Sequence, residues 1–250
     1  MKVFIIAAGL GSRLRPYTKN LPKCLVKIGN KTILDSQLEV YRSLNIKNIN
    51  IIVGFKKNKF KNKKVNYFYN KNFKKNNILE SLFCASKKIN KKCIISYSDI
   101  IFRESIVNKL MKSRSDVSIL VDTNWKKIYR GRTDHPITQA EKISFNKNLI
   151  LKEAGKNLEE KNTKGEFIGM LKLSTKGSKL FKLYYKKAKL DFKKKRFYNA
   201  KNFEQAYLTD FFNYLIKKKI KIKCILIKNN WMEIDTTQDY KRAQNFFTSS

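Results

Sequence analysis

The sequence predicts an α/β protein, a Rossmann-like three-layer arrangement in which a mostly parallel sheet carries helices on both faces. Two observations lead there. Apolar runs of strand length alternate with stretches of helical periodicity through the first half of the chain. The first run, Val3 to Ile6, also opens directly into a small, basic, glycine-containing loop, as chains do at the ligand-binding edge of a parallel sheet. A length of 250 residues is enough for a sizeable core and suits one domain spanning 1–250.

The elements follow in order. Residues 33–44 place apolar side chains at 33, 34, 38, 41 and 44, a stripe suited to packing on a sheet, with Thr32 as N-cap. Residues 48–53 have the pattern of a buried strand, and 65–69 that of a shorter one after a lysine-rich segment. Helix is expected over 78–89 and 104–111, and strand over 93–97, ending at Ser98-Asp99, and over 117–121. Residues 122–142 are polar and irregular. Strand-like pieces follow around Ile143 and Leu149 and over 166–173, so 122–173 is expected to form a lobe within the one domain. Helices at 176–187 and 204–217, a strand at 220–227 and a helix after Thr236 close the chain.

Lys and Arg outnumber Asp and Glu by 56 to 19, a formal net charge of +37. Such a balance ordinarily points to a nucleic acid or an anionic membrane. Here the excess is nearly all lysine, is spread from Lys2 to Lys241 and comes with many asparagines, which is the pattern of compositional drift. The densest run, 186–196, has the character of a solvated helix end or loop. No specific nucleic-acid partner is expected. No segment has the roughly 18 uninterrupted apolar residues of a membrane span, and the short apolar start is unlike a signal peptide. Cys24, Cys84, Cys93 and Cys224 stand far apart with a single histidine, which suggests neither a disulfide framework nor a zinc site. The expectation is a reduced, cytoplasmic protein whose oligomeric state is open, a homodimer included.

Three constellations carry chemistry. The first is Ala7-Ala8-Gly9-Leu10-Gly11-Ser12-Arg13, extended to Pro22-Lys23. Glycines at 9 and 11 let main-chain N–H groups turn toward polyphosphate oxygens, and Arg13 and Lys23 add fixed positive charge. A dinucleotide fingerprint would need glycine in place of Leu14, and a P-loop would need a closing Gly-Lys-Ser or Gly-Lys-Thr. The second is Asp99, at the carboxyl end of a strand, where a carboxylate can hold Mg²⁺; capping the next helix is the plainer alternative. The third is Trp231-Met232-Glu233-Ile234-Asp235. In an extended chain residues 231, 233 and 235 share one face, so Asp235 could complete a Mg²⁺ site with Asp99. Glu233 beside Trp231 would then suit an ammonium group, against the plainer reading of a packed indole and a lysine-paired carboxylate. Tyr129, Arg130 and Arg132 are candidates for binding an anionic group, with exposed loop arginines as the alternative. His135 has the profile of a structural residue.

Taken together, Ala-Ala-Gly-x-Gly-x-Arg-Leu-x-Pro-x-Thr with Pro22-Lys23, Asn-Asn-Ile-x-x-Ser-Leu at 76–82, Ser98-Asp99, and Glu-Ile-Asp-Thr-x-x-Asp-Tyr at 233–240 resemble the sugar-phosphate nucleotidyltransferases. Within that family the chain is similar to the small-molecule cytidylyltransferases that act on phosphocholine, aminoethylphosphonate or phosphoglutamine. The resemblance is weakest between Asn124 and Phe203. It implies a GT-A-like nucleotidyltransferase fold, CTP and a small phosphate- or phosphonate-bearing acceptor as partners, Mg²⁺ as cofactor, and a place in cell-surface polysaccharide or phosphonate biosynthesis. By the same resemblance Ala7, Ala8, Gly9, Gly11, Ser12, Asn77, Ser81 and Ser98 hold the nucleotide. Arg13 and Lys23 meet its phosphates, and Asp99 and Asp235 carry the metal. Tyr129, Arg130, Arg132, Glu166, Trp231 and Glu233 are, from their positions, the candidates to face the acceptor, and 122–173 is expected to be an acceptor-binding lobe. Two positions depart from the sugar-phosphate pattern: Ala8 replaces a usual glycine, and Gly29-Asn30-Lys31-Thr32 replaces Gly-x-Pro.

The implied chemistry is in-line attack of an acceptor oxygen on the α-phosphorus, with pyrophosphate leaving. That oxygen is already anionic near neutral pH, so charge neutralisation and alignment matter more than a general base. Two alternatives stand beside this reading. One is a sugar-1-phosphate nucleotidyltransferase using UTP, GTP or dTTP, and the other is a basic polyanion-binding protein with a degenerate nucleotide site.

Overall fold

The computed structural model describes residues 1–61, 63–244 and 246; residues 247–250, at the end of the domain expected over 1–250, lie outside the described residues, as do 62 and 245. The chain starts with β1 (Lys2–Ala7) and enters a loop in which two 3₁₀ turns hold Ser12–Leu14 and Lys23–Leu25. A small hairpin of β2 (Lys27–Ile28) and β3 (Lys31–Thr32) leads to α1 (Ile33–Ser43), whose first turn is capped by Thr32 accepting from the Asp35 amide at 3.0 Å. There follow β4 (Asn48–Val53), β5 (Asn66–Tyr69), α2 (Ile78–Phe83), β6 (Cys93–Tyr97), β7 (Ile100–Phe102), α3 (Glu104–Met111) and β8 (Val117–Asp122). The second half holds α4 (Trp125–Ile128), β9 (Lys142–Phe145), β10 (Leu151–Ala154), β11 (Gly165–Leu173), α5 (Thr175–Asp191), α6 (Leu208–Lys217), β12 (Ile222–Ile227), β13 (Trp231–Glu233) and α7 (Thr237–Ala243).

Nine strands make the main sheet, in the order β10-β9-β11-β6-β1-β4-β5, with β8 on the other edge of β11 and β12 beyond it. β6, β1, β4 and β5 are parallel neighbours, as are β8 and β12. β11 runs against both β6 and β8, and all nine of its residues are buried, as a strand covered on both faces requires. Alternation along β1 separates two cores. Val3 and Ile5 pack with Leu34, Leu38 and Tyr41 of α1 and with Ile106 and Leu110 of α3. Phe4 and Ile6 pack with Leu79 and Leu82 of α2, Phe181 of α5, and Phe211 and Phe212 of α6. The result is a mixed α/β fold with helices on both faces of a largely parallel sheet. Among the described residues no helix is long and apolar enough to cross a membrane.

Several elements differ from their sequence-based outlines. The α-helix expected over 78–89 ends at Phe83 and continues to Ile89 as tighter i→i+3 turns. The helix expected from 204 starts at Leu208, because Asp210 accepts from the Tyr207 amide at 2.9 Å and fixes the N-terminus there. Leu149 is a turn residue at φ 55° rather than part of a strand. Residues 165–173 form an inner strand of the sheet, so the 122–173 lobe boundary cuts through the core. The polar stretch that leaves the sheet lies between β8 and β9, and it includes α4.

Candidate active site

β1 ends at Ala7 and β6 ends at Tyr97, adjacent and parallel, so the loop after β1 and Ser98-Asp99 meet at one sheet edge. Within the loop, the Thr18 hydroxyl donates to the Gly11 carbonyl at 2.7 Å. Gly11 itself has φ +62°, and a Cβ there would stand 3.0 Å from the Cβ of Lys23. Only glycine allows that backbone and that proximity together. A Cβ at Gly9 would meet nothing within 4 Å, which leaves space beside its backbone for a ligand.

The Asp pair is assembled by a second, two-stranded sheet. β13 pairs antiparallel with β7, Glu233 opposite Ile100, and the Ile234 amide donates to the Asp99 carbonyl at 2.8 Å. That register sets Asp235 beside Asp99 although 136 positions separate them. Alternation continues past β13: Met232 and Ile234 pack with Leu14, Val26 and Ile33, while Trp231 and Glu233 line a cavity. Gln37 of α1 secures the turn before β7, its Nε2 donating to the Tyr97 and Ile100 carbonyls at 3.0 and 2.6 Å.

Two cavities meet there. A cleft of about 320 Å³ is lined by Ala7, Gly9, Gly11, Ser12, Arg13, Lys23, Asn77, Ser81, Ser98, Asp99 and Asp235, among others. A smaller cavity of about 140 Å³ shares Arg13, Ile78, Tyr97 and Asp99 with it and adds His135, Gln139, Glu141, Lys156, Glu166, Tyr207, Trp231 and Glu233. At the junction Lys23 Nζ donates to Asp99 Oδ2 at 2.9 Å and to Asp235 Oδ1 at 2.5 Å. Burial works against charge on Lys23, but the two carboxylates hold its ammonium above the ordinary lysine range. Burial likewise opposes charge on Asp235, yet Lys23, His135 and Arg13 hold its carboxyl well below the usual range.

The residues present fit a divalent cation. Asp99 and Asp235 offer hard oxygens, and the Lys23 ammonium already stands between them as a cation would. Asp235 Oδ2 is buried between Arg13 Nη2 at 2.6 Å and His135 Nδ1 at 2.8 Å. His135, Glu233 and Asp235 also converge, with one ligand atom from each lying within 4.8 Å of the others. Of these three, Asp235 is paired with Lys23 and Arg13, and Glu233 with Arg132.

Other expected site residues are placed differently. Contrary to the expectation from sequence, Arg132 does not reach toward an acceptor. It is buried, with Nε and Nη2 bound to Asp239 at 2.7 and 2.8 Å and Nη2 also to Glu233 at 2.9 Å. Arg130 is exposed and lines neither cavity. Tyr129 is buried behind the wall, its hydroxyl donating to Glu166 Oε1 at 2.5 Å. Ala8 is buried and absent from the cleft lining. Ser81 lines the cleft, but its hydroxyl donates to the Asn77 carbonyl and accepts from Asn70. The Trp231 indole donates to Asp122 at 2.7 Å, and Asn77 caps α2. Glu141, Lys156, Tyr97, Tyr207 and His135 also line the smaller cavity and are not among the residues the motifs indicate. They come from irregular segments or strand ends without a pattern of their own; an acidic residue beside a strand start, as at Glu141, is the faint signal available.

A family model of the MobA-like NTP transferase domain matches residues 3–147. The CTP:phosphoglutamine cytidylyltransferase of Campylobacter jejuni subsp. jejuni is 33% identical over 251 residues, covering 96% of this chain and 97% of its own length. The choline-phosphate cytidylyltransferase of Streptococcus pneumoniae is 34% identical over 117 residues, 45% of this chain and 51% of that one. Among solved structures, the CTP:phosphocholine cytidylyltransferase of Streptococcus pneumoniae superposes with a TM-score of 0.73 at 19% identity, covering 98% of each chain. The inositol-1-phosphate CTP transferase of T. maritima superposes with a TM-score of 0.74 at 16% identity, over 99% of this chain and 96% of that one.

Proposed function

The chain belongs to the MobA-like NTP transferase family and is a nucleotidyltransferase, and from that premise we propose that it moves a cytidylyl group from CTP to a small phosphate- or phosphonate-bearing acceptor. Acceptors of the phosphocholine, aminoethylphosphonate or phosphoglutamine type are the candidates. The observation that carries this reading is the junction of the two cavities at Arg13 and Asp99, one side a backbone cradle with basic residues and the other acidic and aromatic. Glu141, Glu166 and Glu233 give the smaller cavity an acidic lining, which suits an acceptor carrying a positive charge better than a neutral sugar.

The cradle of Gly9, Gly11 and Ser12 holds the triphosphate, with Arg13 and Lys23 against its oxygens. An acceptor oxygen forms a bond to the α-phosphorus while the bond from that phosphorus to the bridging oxygen breaks, and pyrophosphate departs with the electron pair. Both reactants are anionic, so the barrier is largely charge repulsion, which Arg13 and Lys23 lower by neutralisation and alignment. Asp99 and Asp235 would hold Mg²⁺, which supplies further neutralisation of the phosphate charge when bound. Lys23 would then exchange its carboxylate partners for phosphate oxygens. The test is a matrix of CTP, UTP, GTP and dTTP against phosphocholine, aminoethylphosphonate, phosphoglutamine and glucose 1-phosphate, read by pyrophosphate release with and without EDTA. Release confined to CTP and dependent on Mg²⁺ is expected; preference for UTP or dTTP with glucose 1-phosphate would overturn the reading.

A further inference from the structure

The acceptor cavity has two ends of different character. Arg13, Ile78, Tyr97 and Asp99 line it in common with the nucleotide cleft and so mark the phosphate end; Gln139, Glu141, Lys156 and Glu166 line the acceptor side alone. Among the described residues, Glu141, Glu166 and Lys156 line that side with no ion pair between them. Glu141 accepts from the Tyr97 hydroxyl at 3.2 and 3.3 Å, and Glu166 accepts from Tyr129 while its Oε2 keeps no partner. Burial pushes both carboxyls up to about 8, Glu141 despite the attraction of Lys156 and each despite its tyrosine donor.

Lys156 is the counterpart. Its Nζ donates to Gln139 Oε1 at 3.0 Å and lies 4.9 Å from the Tyr207 ring centroid, and among the described residues no carboxylate lies within ion-pair distance of it. Its backbone is anchored: Lys142 Nζ donates to the Lys156 carbonyl at 3.1 Å, and the Gly155 amide to the Lys142 carbonyl at 2.9 Å. Tyr97 is seated against Gly169, where a Cβ would come within 2.4 Å of its ring, so the phenol that positions Glu141 depends on that glycine.

Resting on the cytidylyl-transfer reading, we propose that this end is a head-group subsite for an amino-acid-derived acceptor, with Glu141 accepting from its nitrogen and Lys156 pairing with its carboxylate. A quaternary ammonium such as choline offers Glu141 charge but no N–H, and it has no anion for Lys156, which it leaves uncompensated. A head with an ammonium and a carboxylate answers each with its opposite.

The experiment compares phosphoglutamine with phosphocholine as acceptors for CTP in the wild type, Lys156→Met, Lys156→Arg and Glu141→Gln. In the wild type, kcat/KM for phosphoglutamine should exceed that for phosphocholine at least tenfold. Lys156→Met and Glu141→Gln should each lower that preference at least tenfold, through acceptor KM, with the KM for CTP held as evidence of an intact fold. Lys156→Arg should restore most of it. Equal use of both acceptors by the wild type, or an equal loss on both in Lys156→Met, overturns the subsite while leaving cytidylyl transfer standing. If CTP supports no transfer at all, calorimetric titration with phosphoglutamine alone still decides: weaker binding to Lys156→Met than to the wild type supports the subsite, and equal binding overturns it.

Discussion

Lys23 is the side chain on which the site is centred, because it reaches both aspartates and stands at the wall of the nucleotide cleft. Lys23→Ala is expected to lower kcat/KM at least 100-fold, as the loss of a donor aimed at a reacting phosphate does elsewhere, with far-UV circular dichroism retained. Glu166 gives a prediction of a different kind. Burial raises its carboxyl from 4.5 to about 8 in the fold, so between those values the folded protein keeps a proton that the unfolded chain has lost. Stability from this group is therefore lost as pH rises from about 4.5 to about 8. In Glu166→Gln the fall in melting temperature between pH 5.5 and 8.5 should be smaller than in the wild type, though not absent, since Glu141 titrates in the same range. An unchanged slope would mean that Glu166 is charged in the fold. At this scale the motif residues Gly9, Gly11, Arg13, Lys23, Asp99 and Asp235 were legible from sequence, since each belongs to a short pattern. Arg132 was not: whether an arginine faces a ligand or ties Asp239 to Glu233 depends on partners 101 and 107 positions away.

The loop after β1 and the ladder between β7 and β13 do the positioning. Gly11→Ala must hold an alanine at φ +62° with its Cβ against Lys23, a strain of about 1–2 kcal/mol. It should lower the melting temperature and raise the KM for CTP several-fold; an unaffected KM would show that the turn does not hold Lys23 in place. Strand and helix positions were readable wherever a periodic run filled the element, as in β1, α1, β4 and β6. The ends of α2 and α6 were not, because the first tightens into i→i+3 turns and the second is fixed by the Asp210 cap, neither of which alters the hydrophobic period. β7 is three residues long, too short to show any period at all.

Across the whole molecule, charge is distributed against its own average. The net charge is +37, yet the smaller cavity gathers Asp99, Glu141, Glu166 and Glu233 with, among the described residues, only Arg13 and Lys156 as lysine or arginine lining. If the lysine excess is compositional, changing exposed Lys186, Lys187, Lys194 and Lys195 together to Gln should leave kcat/KM within twofold. A larger loss, reproduced in the wild type by raising ionic strength, would assign those lysines a role in binding. Sequence alone determined the layered α/β architecture, the glycine-containing loop after β1 as a candidate phosphate site and the pair of candidate metal aspartates, because local periodicity and short-range spacing are properties of the chain itself. Tertiary structure alone decided which acids share the smaller cavity, that Arg132 is tied to Glu233 in its wall, and that Lys156 lines it. Those outcomes depend on strand register and on pairings between distant segments, where burial gives an unpaired charge its meaning.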